Sequence, residues 1–153
     1  MDIYVIWPGK IKNIYLNEIA EDYCNKIKKM IRFQLVQVKE TKFESNYKRL
    51  GEEKKLIEER IPSGSYKVVL DVMGKQIRTM ELIKIMNSII FTGKKRMVFI
   101  GGSHNGLHED IKKGSDLMLS LSSLEIPHEL SRVVLLEQIY RVLCYINNIP
   151  YPK

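Results

Sequence analysis

Residues 120–141 read SLSSLEIPHELSRVVLLEQIYR, a serine-leucine run followed by Pro127-His128 and then by a strongly apolar segment. Proline is favoured at the first position of a helix, so the pattern predicts a helix from Pro127 to about Asn147. Its apolar residues cover nearly the whole circumference, whereas a helix on one face of a sheet needs only one apolar stripe. Another surface must cover this helix, and a second copy related by two-fold symmetry is the cover that we predict.

Upstream, short β-rich runs alternate with longer segments of helical spacing. The predicted strands are Ile3–Trp7, Phe33–Val38, Lys67–Asp71, Arg96–Ile100 and Asp116–Leu121. The predicted helices between them are about Asn13–Met30, Asn46–Ile61 and Thr79 to Gly93, with Thr79 as the N-cap of the last. This alternation predicts an α/β fold with a mainly parallel sheet, helices on both faces, and ligands at the carboxyl ends of the strands.

The composition is that of one domain spanning residues 1–153, because 44% apolar residues in 153 suffice for one core. The net charge of +7 favours a polyanionic partner. The excess lies in residues 1–115, and residues 116–153 are net −1. An RNA-facing surface and an ordinary lysine-rich surface both explain this pattern, and composition does not choose between them.

The chain contains two cysteines, Cys24 and Cys144, which lie far apart in apolar helical patterns. We expect both in the core, with no disulfide framework, which fits a reducing compartment. The first residues, MDIYVIWPGK, lack the basic start and the apolar run of a secretory signal. No stretch has the length of a membrane span. The sequence therefore predicts a cytoplasmic protein without a membrane partner.

Two irregular segments follow predicted strands. After RMVFI comes GGSHNGL, residues 101–107, whose glycines let the backbone approach a ligand closely. It matches no nucleotide motif, so a tight turn between strand and helix is an equal alternative. The second segment is the serine-leucine run. His104, His108 and Glu109 offer metal-ligand types without a recognised spacing, and we predict no metal.

Four charged or ionisable residues interrupt the apolar helix. His128 and Arg132 share one face, Glu137 and Arg141 share another, and the two pairs lie on roughly opposite sides. Charges on such a surface are costly unless they are paired or used. Intrahelical pairing, especially of Glu137 with Arg141, and a functional role therefore stand as alternatives.

These residues also carry a resemblance. FIGGSHNGL, LSLSSLEIPHELSRVVLLEQIYR and the final PYPK resemble the C-terminal half of the RlmH family, bacterial ribosomal RNA large subunit methyltransferases of the SPOUT superfamily. The opening IYVIWPGKIK and the central VVLDVMGK are similar to the family's first strand and its central strand. The resemblance covers the chain from end to end.

The resemblance implies a C-terminal trefoil knot, a homodimer, and transfer of a methyl group from S-adenosylmethionine to N3 of a pseudouridine in 23S ribosomal RNA on the assembled ribosome. Glu137 or His128 would accept the proton or position the base, and Arg132 and Arg141 would hold phosphates or base edges. The implied cofactor-binding residues are Leu70, Gly101, Leu121, Ser122, Ser123, Leu124, Glu125 and Ile126. The implied catalytic residues are His128, Arg132, Glu137, Arg141 and Tyr151.

Three positions depart from the family pattern. One extra residue, around His104, separates Gly102 from Gly106, and Glu125 replaces a threonine-like residue. The tail ends Tyr-Pro-Lys where the family has a histidine, and Pro152 supplies neither an imidazole nor a backbone donor. Two alternatives therefore stay open: a dimeric ribosome-binding protein that transfers no methyl group, and a methyltransferase that acts on another RNA such as tRNA.

Overall fold

The computed structural model describes residues 1–42 and 45–151, in which strands and helices alternate. All four strand pairs are parallel, and the order across the sheet is β2-β1-β4-β3-β5. This confirms the predicted parallel α/β fold. The elements are β1 (Asp2–Pro8), α1 (Ile14–Lys28), β2 (Phe33–Val38), α2 (Asn46–Glu58), β3 (Tyr66–Gln76), α3 (Thr79–Phe91), β4 (Arg96–Ile100), α4 (Glu109–Lys113), β5 (Leu117–Ser120) and α5 (His128–Ile146).

Helices cover both faces of the sheet, as predicted. Successive side chains of a strand point to opposite faces, so Val5 and Trp7 of β1 join the core beneath α1, α3 and α5, whereas Ile6 joins the core beneath α2 and α4. A parallel sheet that is buried on both faces requires strands that are apolar almost throughout. The run IYVIW meets that requirement and explains why β1 lies inside the sheet, between β2 and β4.

The apolar circumference of α5 is covered within the chain. The sheet, α1 and α3 surround this helix, and its exposed large apolar side chains are Leu130 and Tyr145. Contrary to what the sequence had suggested, the apolar circumference of α5 therefore does not require a second copy, because two neighbouring helices already cover it. The homodimer stays a prediction on other grounds. The buried apolar residues of α5 are Val133, Leu135, Leu136, Ile139, Val142, Leu143 and Cys144.

The two cysteines occupy core positions, as predicted. Cys24 and Cys144 are both buried and are not joined in a disulfide. Burial raises the pKa of Cys24 to about 11, so its thiol is protonated and unreactive at neutral pH. In α1, which contains Cys24, Ile27 is also buried, whereas Ile19 is exposed.

Several predicted bounds are corrected. β3 continues to Gln76 and α4 was not predicted, because a helix of five residues has too few turns to show a period. Thr79 is the first residue of α3, and Arg78 is its N-cap. The carboxylate of Glu81 accepts the Arg78 amide at 2.8 Å, and the Thr79 hydroxyl donates to the Gln138 side chain at 2.8 Å. Thr79 thus joins α3 to α5 instead of capping its own helix.

β3 and β5 meet through an irregular ladder. Leu70 and Lys75 both align with Leu119, so the residues between them leave the regular pairing and fold across β5. At Gly74 a Cβ would lie 2.7 Å from the backbone carbonyl carbon of Leu119. Only a residue without a side chain fits at this crossing. The trefoil knot implied by the resemblance stays a prediction.

We predict that Gly74→Ala destabilises the protein by about 1–3 kcal/mol, because the Leu119 backbone cannot move aside as a flexible side chain would. The matched control is Gly51→Ala in α2, where a Cβ would meet nothing within 4 Å. That change should stabilise α2 by up to about 1 kcal/mol, the difference in helix propensity. The measurement is the free energy of unfolding in urea. Equal stabilities of the two variants would contradict the crossing at Leu119.

Candidate active site

A cleft of about 510 Å³ opens at the carboxyl ends of β4 and β5, beside the middle of β3. This volume lies in the usual range for sites that bind small molecules. The walls combine apolar side chains with glycine backbone and a few polar groups of α5. A second cleft, of about 500 Å³, lies beside the end of α2 and contains none of the residues that the sequence singled out. The first cleft is therefore the candidate site.

The structure brings most of the cofactor-binding residues named from the resemblance to this cleft. Ser123 and Glu125 do not line it, although they belong to the same loop between β5 and α5. Those that line it are Leu70, Gly101, Leu121, Ser122, Leu124 and Ile126.

The loop between β5 and α5 is folded by its own serines. The Ser120 hydroxyl donates to the Ser122 carbonyl at 2.9 Å, and the Leu124 amide donates to the Ser122 hydroxyl at 2.9 Å. Within residues 1–42 and 45–151, the amides of Ser123 and Glu125 donate no hydrogen bond. Leu70, in the middle of β3, and Leu119, near the end of β5, contribute to the apolar floor of the cleft. This lining suits a ligand with a flat apolar ring and a polar edge.

The glycine segment forms a tight turn on the rim of the cleft, the alternative that the sequence left open. The Gly106 amide donates to the Ser103 carbonyl at 2.9 Å, and Gly106 has a φ of +82°. A Cβ at Gly102 would lie 2.4 Å from the Gly106 carbonyl oxygen. At Gly101 a Cβ would make only ordinary contacts, the shortest 3.6 Å from the Cβ of Trp7. Packing therefore requires glycine at position 102 and leaves position 101 free to serve a ligand.

A buried carboxyl group supports this turn from below. Glu53 of α2 is only 2% exposed, and one of its oxygens accepts the Ser103 hydroxyl at 3.1 Å. Burial raises the pKa of Glu53 above its ordinary value, although the bond from Ser103 acts in the opposite direction. A polar group in the interior needs such a partner. Glu53 was not predicted as a site residue, because one acid within a charged helix carries no distinguishing signal.

Arg132 lies buried between α5 and the end of β1, facing the cleft. Its guanidinium donates to the Pro8 carbonyl and, at 3.4 Å, to the Gly9 carbonyl, and it lies 5.0 Å from the centre of the Trp7 ring. In the part of the chain that the structure describes, no carboxylate lies within 4.0 Å of it. Burial lowers the pKa of Arg132 to about 10, so the side chain stays charged at neutral pH. Its charge is available to an anionic group in the cleft.

His128 lines the same cleft one turn before Arg132. Burial lowers the pKa of His128, and the nearby charge of Arg132 lowers it further, so the imidazole is neutral at pH 7. The adjacent Glu129 has a structural task that the sequence analysis missed. Its two carboxylate oxygens accept the amides of Lys12 and Asn13 at 3.0 and 3.1 Å, which ties the start of α5 to the start of α1.

The remaining predicted catalytic residues form a second cluster away from the cleft. Glu137 accepts from Arg141 Nε at 2.8 Å and from the Tyr151 hydroxyl at 2.6 Å, and its other oxygen accepts from Gln138 at 2.6 Å. The predicted pair of Glu137 with Arg141 is present. His128 and Glu137 are nine residues apart, which is about 14 Å along the helix axis. The structure thus divides the predicted catalytic residues into two groups.

Tyr151 is held against α5 from several sides. The Arg141 guanidinium carbon lies 4.0 Å from the centre of its ring, and the Tyr140 ring centre lies 5.8 Å away. Burial and the hydrogen bond to Glu137 raise the pKa of Tyr151 well above its usual value, so the phenol stays protonated. The departure from the family pattern at Pro152 lies outside the described residues.

Nowhere in residues 1–42 and 45–151 do three or more histidine, cysteine, aspartate or glutamate side chains gather closely enough to hold a metal ion. Across the same ranges, no helix has both the length and the apolar character that a membrane span requires.

The chain is similar to proteins of one family along its whole length. The family model described as predicted SPOUT methyltransferase matches residues 1–152. Ribosomal RNA large subunit methyltransferase H from Caldicellulosiruptor saccharolyticus is 35% identical over 154 residues, which cover 99% of each chain. The protein of the same name from Acetivibrio thermocellus is 32% identical over 159 residues, with 100% of both chains covered.

The fold also resembles a solved structure, that of a probable methylase family protein from Haemophilus influenzae Rd KW20. The TM-score is 0.58 at 12% identity, and the match covers 99% of this chain and 71% of the other. At this identity the likeness supports the fold alone. With the full-length sequence relatives and the family model, the conclusion is plain: this chain belongs to the RlmH family of SPOUT methyltransferases.

Proposed function

We propose that this protein is an S-adenosylmethionine-dependent methyltransferase that methylates N3 of a pseudouridine in 23S ribosomal RNA on the assembled ribosome. The observation that supports it most directly is the cleft of about 510 Å³ at the carboxyl edge of the sheet, with an apolar floor, a wall of glycine backbone and a buried cation. The full-length relatives carry the corresponding name.

The residues of the cleft fit this cofactor, which supplies a methyl group already activated by its sulfonium. The leucines at positions 70, 119 and 121 offer a surface for the adenine ring. The charge of Arg132 can attract the carboxylate of the amino-acid end. Glycine at position 101 lets the backbone approach closely.

The protein's main tasks are then to align the target base and to remove the proton from N3. His128 is neutral and faces the cleft, so it can hydrogen-bond the edge of the base. Glu137 is a less suitable proton acceptor, because both of its oxygens already accept hydrogen bonds. We propose that it holds Arg141 and Tyr151 in place, and that Arg141, whose side chain is 40% exposed, contacts RNA phosphates.

We also propose that the protein is a homodimer that works in the cytoplasm. The start of α1 exposes Ile14 by 65% and Tyr15 by 73%, beside the start of α5, where Leu130 is exposed as well. Neighbouring apolar side chains of this size are typical of an interface. The two unpaired, buried cysteines fit a reducing compartment.

The function is tested by transfer of radiolabelled methyl groups from S-adenosylmethionine to assembled ribosomes that lack the modification. We expect label at N3 of one pseudouridine of 23S RNA, and no label on isolated tRNA. Label on tRNA alone would show that the target is wrong. Cosedimentation with ribosomes without any label would show that the protein binds but does not transfer, and the proposed activity would then be rejected.

We predict that Leu124→Ser weakens the binding of S-adenosylmethionine about 10-fold, because the cleft loses an apolar contact. Leu124 is 76% exposed, so the change should leave the stability almost unaltered. Phe91→Ser is the matched control, since Phe91 is 89% exposed at the end of α3 and does not line the cleft. Calorimetric titration measures both affinities. The same affinity for both variants would place the cofactor elsewhere.

For the dimer, we expect sedimentation at micromolar concentration to give a species of twice the 17.9 kDa chain mass. Tyr15→Asp should shift this species toward the monomer, because a charge would then be buried in the interface. Phe91→Asp introduces the same charge on another exposed apolar residue and should leave the dimer intact. A monomer in the unaltered protein would refute the homodimer, and an unaffected Tyr15→Asp dimer would place the interface elsewhere.

A further inference from the structure

A histidine stands at the tip of the turn beside the cleft. Ser103 and Gly106 close the turn through a hydrogen bond of 2.9 Å, which leaves His104 and Asn105 at its end. His104 lines the cleft, and the buried Glu53 anchors the turn through the Ser103 hydroxyl. The imidazole is thus presented to the cleft on a supported backbone.

A carboxylate lies beside this imidazole. Oε1 of Glu40, which follows β2, is 3.7 Å from Nδ1 of His104. Glu40 also lies over Gly9, where φ is +73° and a Cβ would come within 2.9 Å of its Oε2. A carboxylate on this side favours the tautomer with hydrogen on Nδ1, which leaves the lone pair of Nε2 for an incoming proton. It also stabilises the imidazolium that forms when the proton arrives.

The two imidazoles of the cleft have opposite surroundings. The ring centres of His104 and His128 are 6.5 Å apart, so one substrate can reach both. Desolvation and the nearby cation of Arg132 both disfavour the protonation of His128. His104 has the carboxylate of Glu40 at its side. The charged groups that act on this side of the cleft, where His128 and Arg132 lie, are Glu40, Glu129 and Arg132.

We infer that His104 accepts the N3 proton of the target base during methyl transfer and that Glu40 is the positioning residue that orients it. The inference rests on the proposed function. In the step, the N3 electron pair forms a bond to the methyl carbon while the carbon–sulfur bond breaks and its electrons remain on sulfur. The N3 proton moves to Nε2 of His104. The positive charge of the sulfonium is thereby replaced by that of the imidazolium, and the step is balanced.

The test compares the unaltered protein with His104→Gln, Glu40→Gln and Asn105→Gln on ribosomes that lack the modification. Asn105→Gln is the matched control, because it changes the other residue at the tip of the same turn. We expect His104→Gln to lower kcat about 100-fold, the scale of general base catalysis. Glu40→Gln should lower kcat by a smaller factor with KM unchanged. The affinity for S-adenosylmethionine, measured separately by calorimetry, should stay within twofold in all three.

The pH profile of kcat separates proton transfer from a structural role. Transfer by the unaltered protein should decline toward acid pH, because a protonated imidazole cannot accept the N3 proton. In His104→Gln this decline should disappear or move to lower pH, where His128 protonates because its pKa is lowered. An unchanged kcat, or an unchanged acid limb, in His104→Gln would overturn the inference and leave the proposed function intact. Absence of transfer by the unaltered protein would overturn both.

Discussion

The buried guanidinium of Arg132 is the contact on which the position of the cleft depends. It donates to the carbonyls of Pro8 and Gly9 at the end of β1, so it joins the second turn of α5 to an inner strand of the sheet. The loop between β5 and α5 is therefore fixed at both ends, by β5 at its start and by the anchored α5 at its end. Burying a cation is costly, and here carbonyl dipoles and the Trp7 ring offset the cost instead of a carboxylate. A carboxylate partner would have neutralised the charge before any ligand arrived.

Two carboxylates hold further segments in place around the cleft. Glu53 holds the glycine turn through Ser103, and Glu129 holds the starts of α1 and α5 together through two amides. In each contact, a carboxylate accepts hydrogen bonds from a segment that lies outside the helices and strands. Irregular backbone at a ligand site needs such partners, because its amides and carbonyls are not satisfied by a helix or a sheet. The regular elements form the core, and these side chains determine the shape of the site.

The sequence predicted the parts of the fold that depend on local pattern. Phe33–Val38 and Arg96–Ile100 were predicted with the correct bounds, because both are short β-rich runs that end at a change in composition. The end of β3 was missed, since its polar final residues pair with β5 only after an interruption. Residues 121–126 were recognisable because they are contiguous. Glu40 and Glu53 were not, since they reach the rim from distant segments and nothing in a linear sequence records that proximity.

The polar side chains of α5 form two separate clusters. Their separation constrains the size of any substrate that contacts both clusters. His128 and Arg132 face the cleft, whereas Glu137 and Arg141 lie further along the same helix, with Tyr151 packed against them. His128 and Glu137 are about 14 Å apart along the helix axis. A free nucleoside is too short to contact both groups at once. A polynucleotide can insert one base into the cleft while its phosphates extend toward Arg141, and the charge of +7 attracts such a polyanion. If both groups of α5 take part in recognition, their separation alone favours a structured RNA over a small molecule.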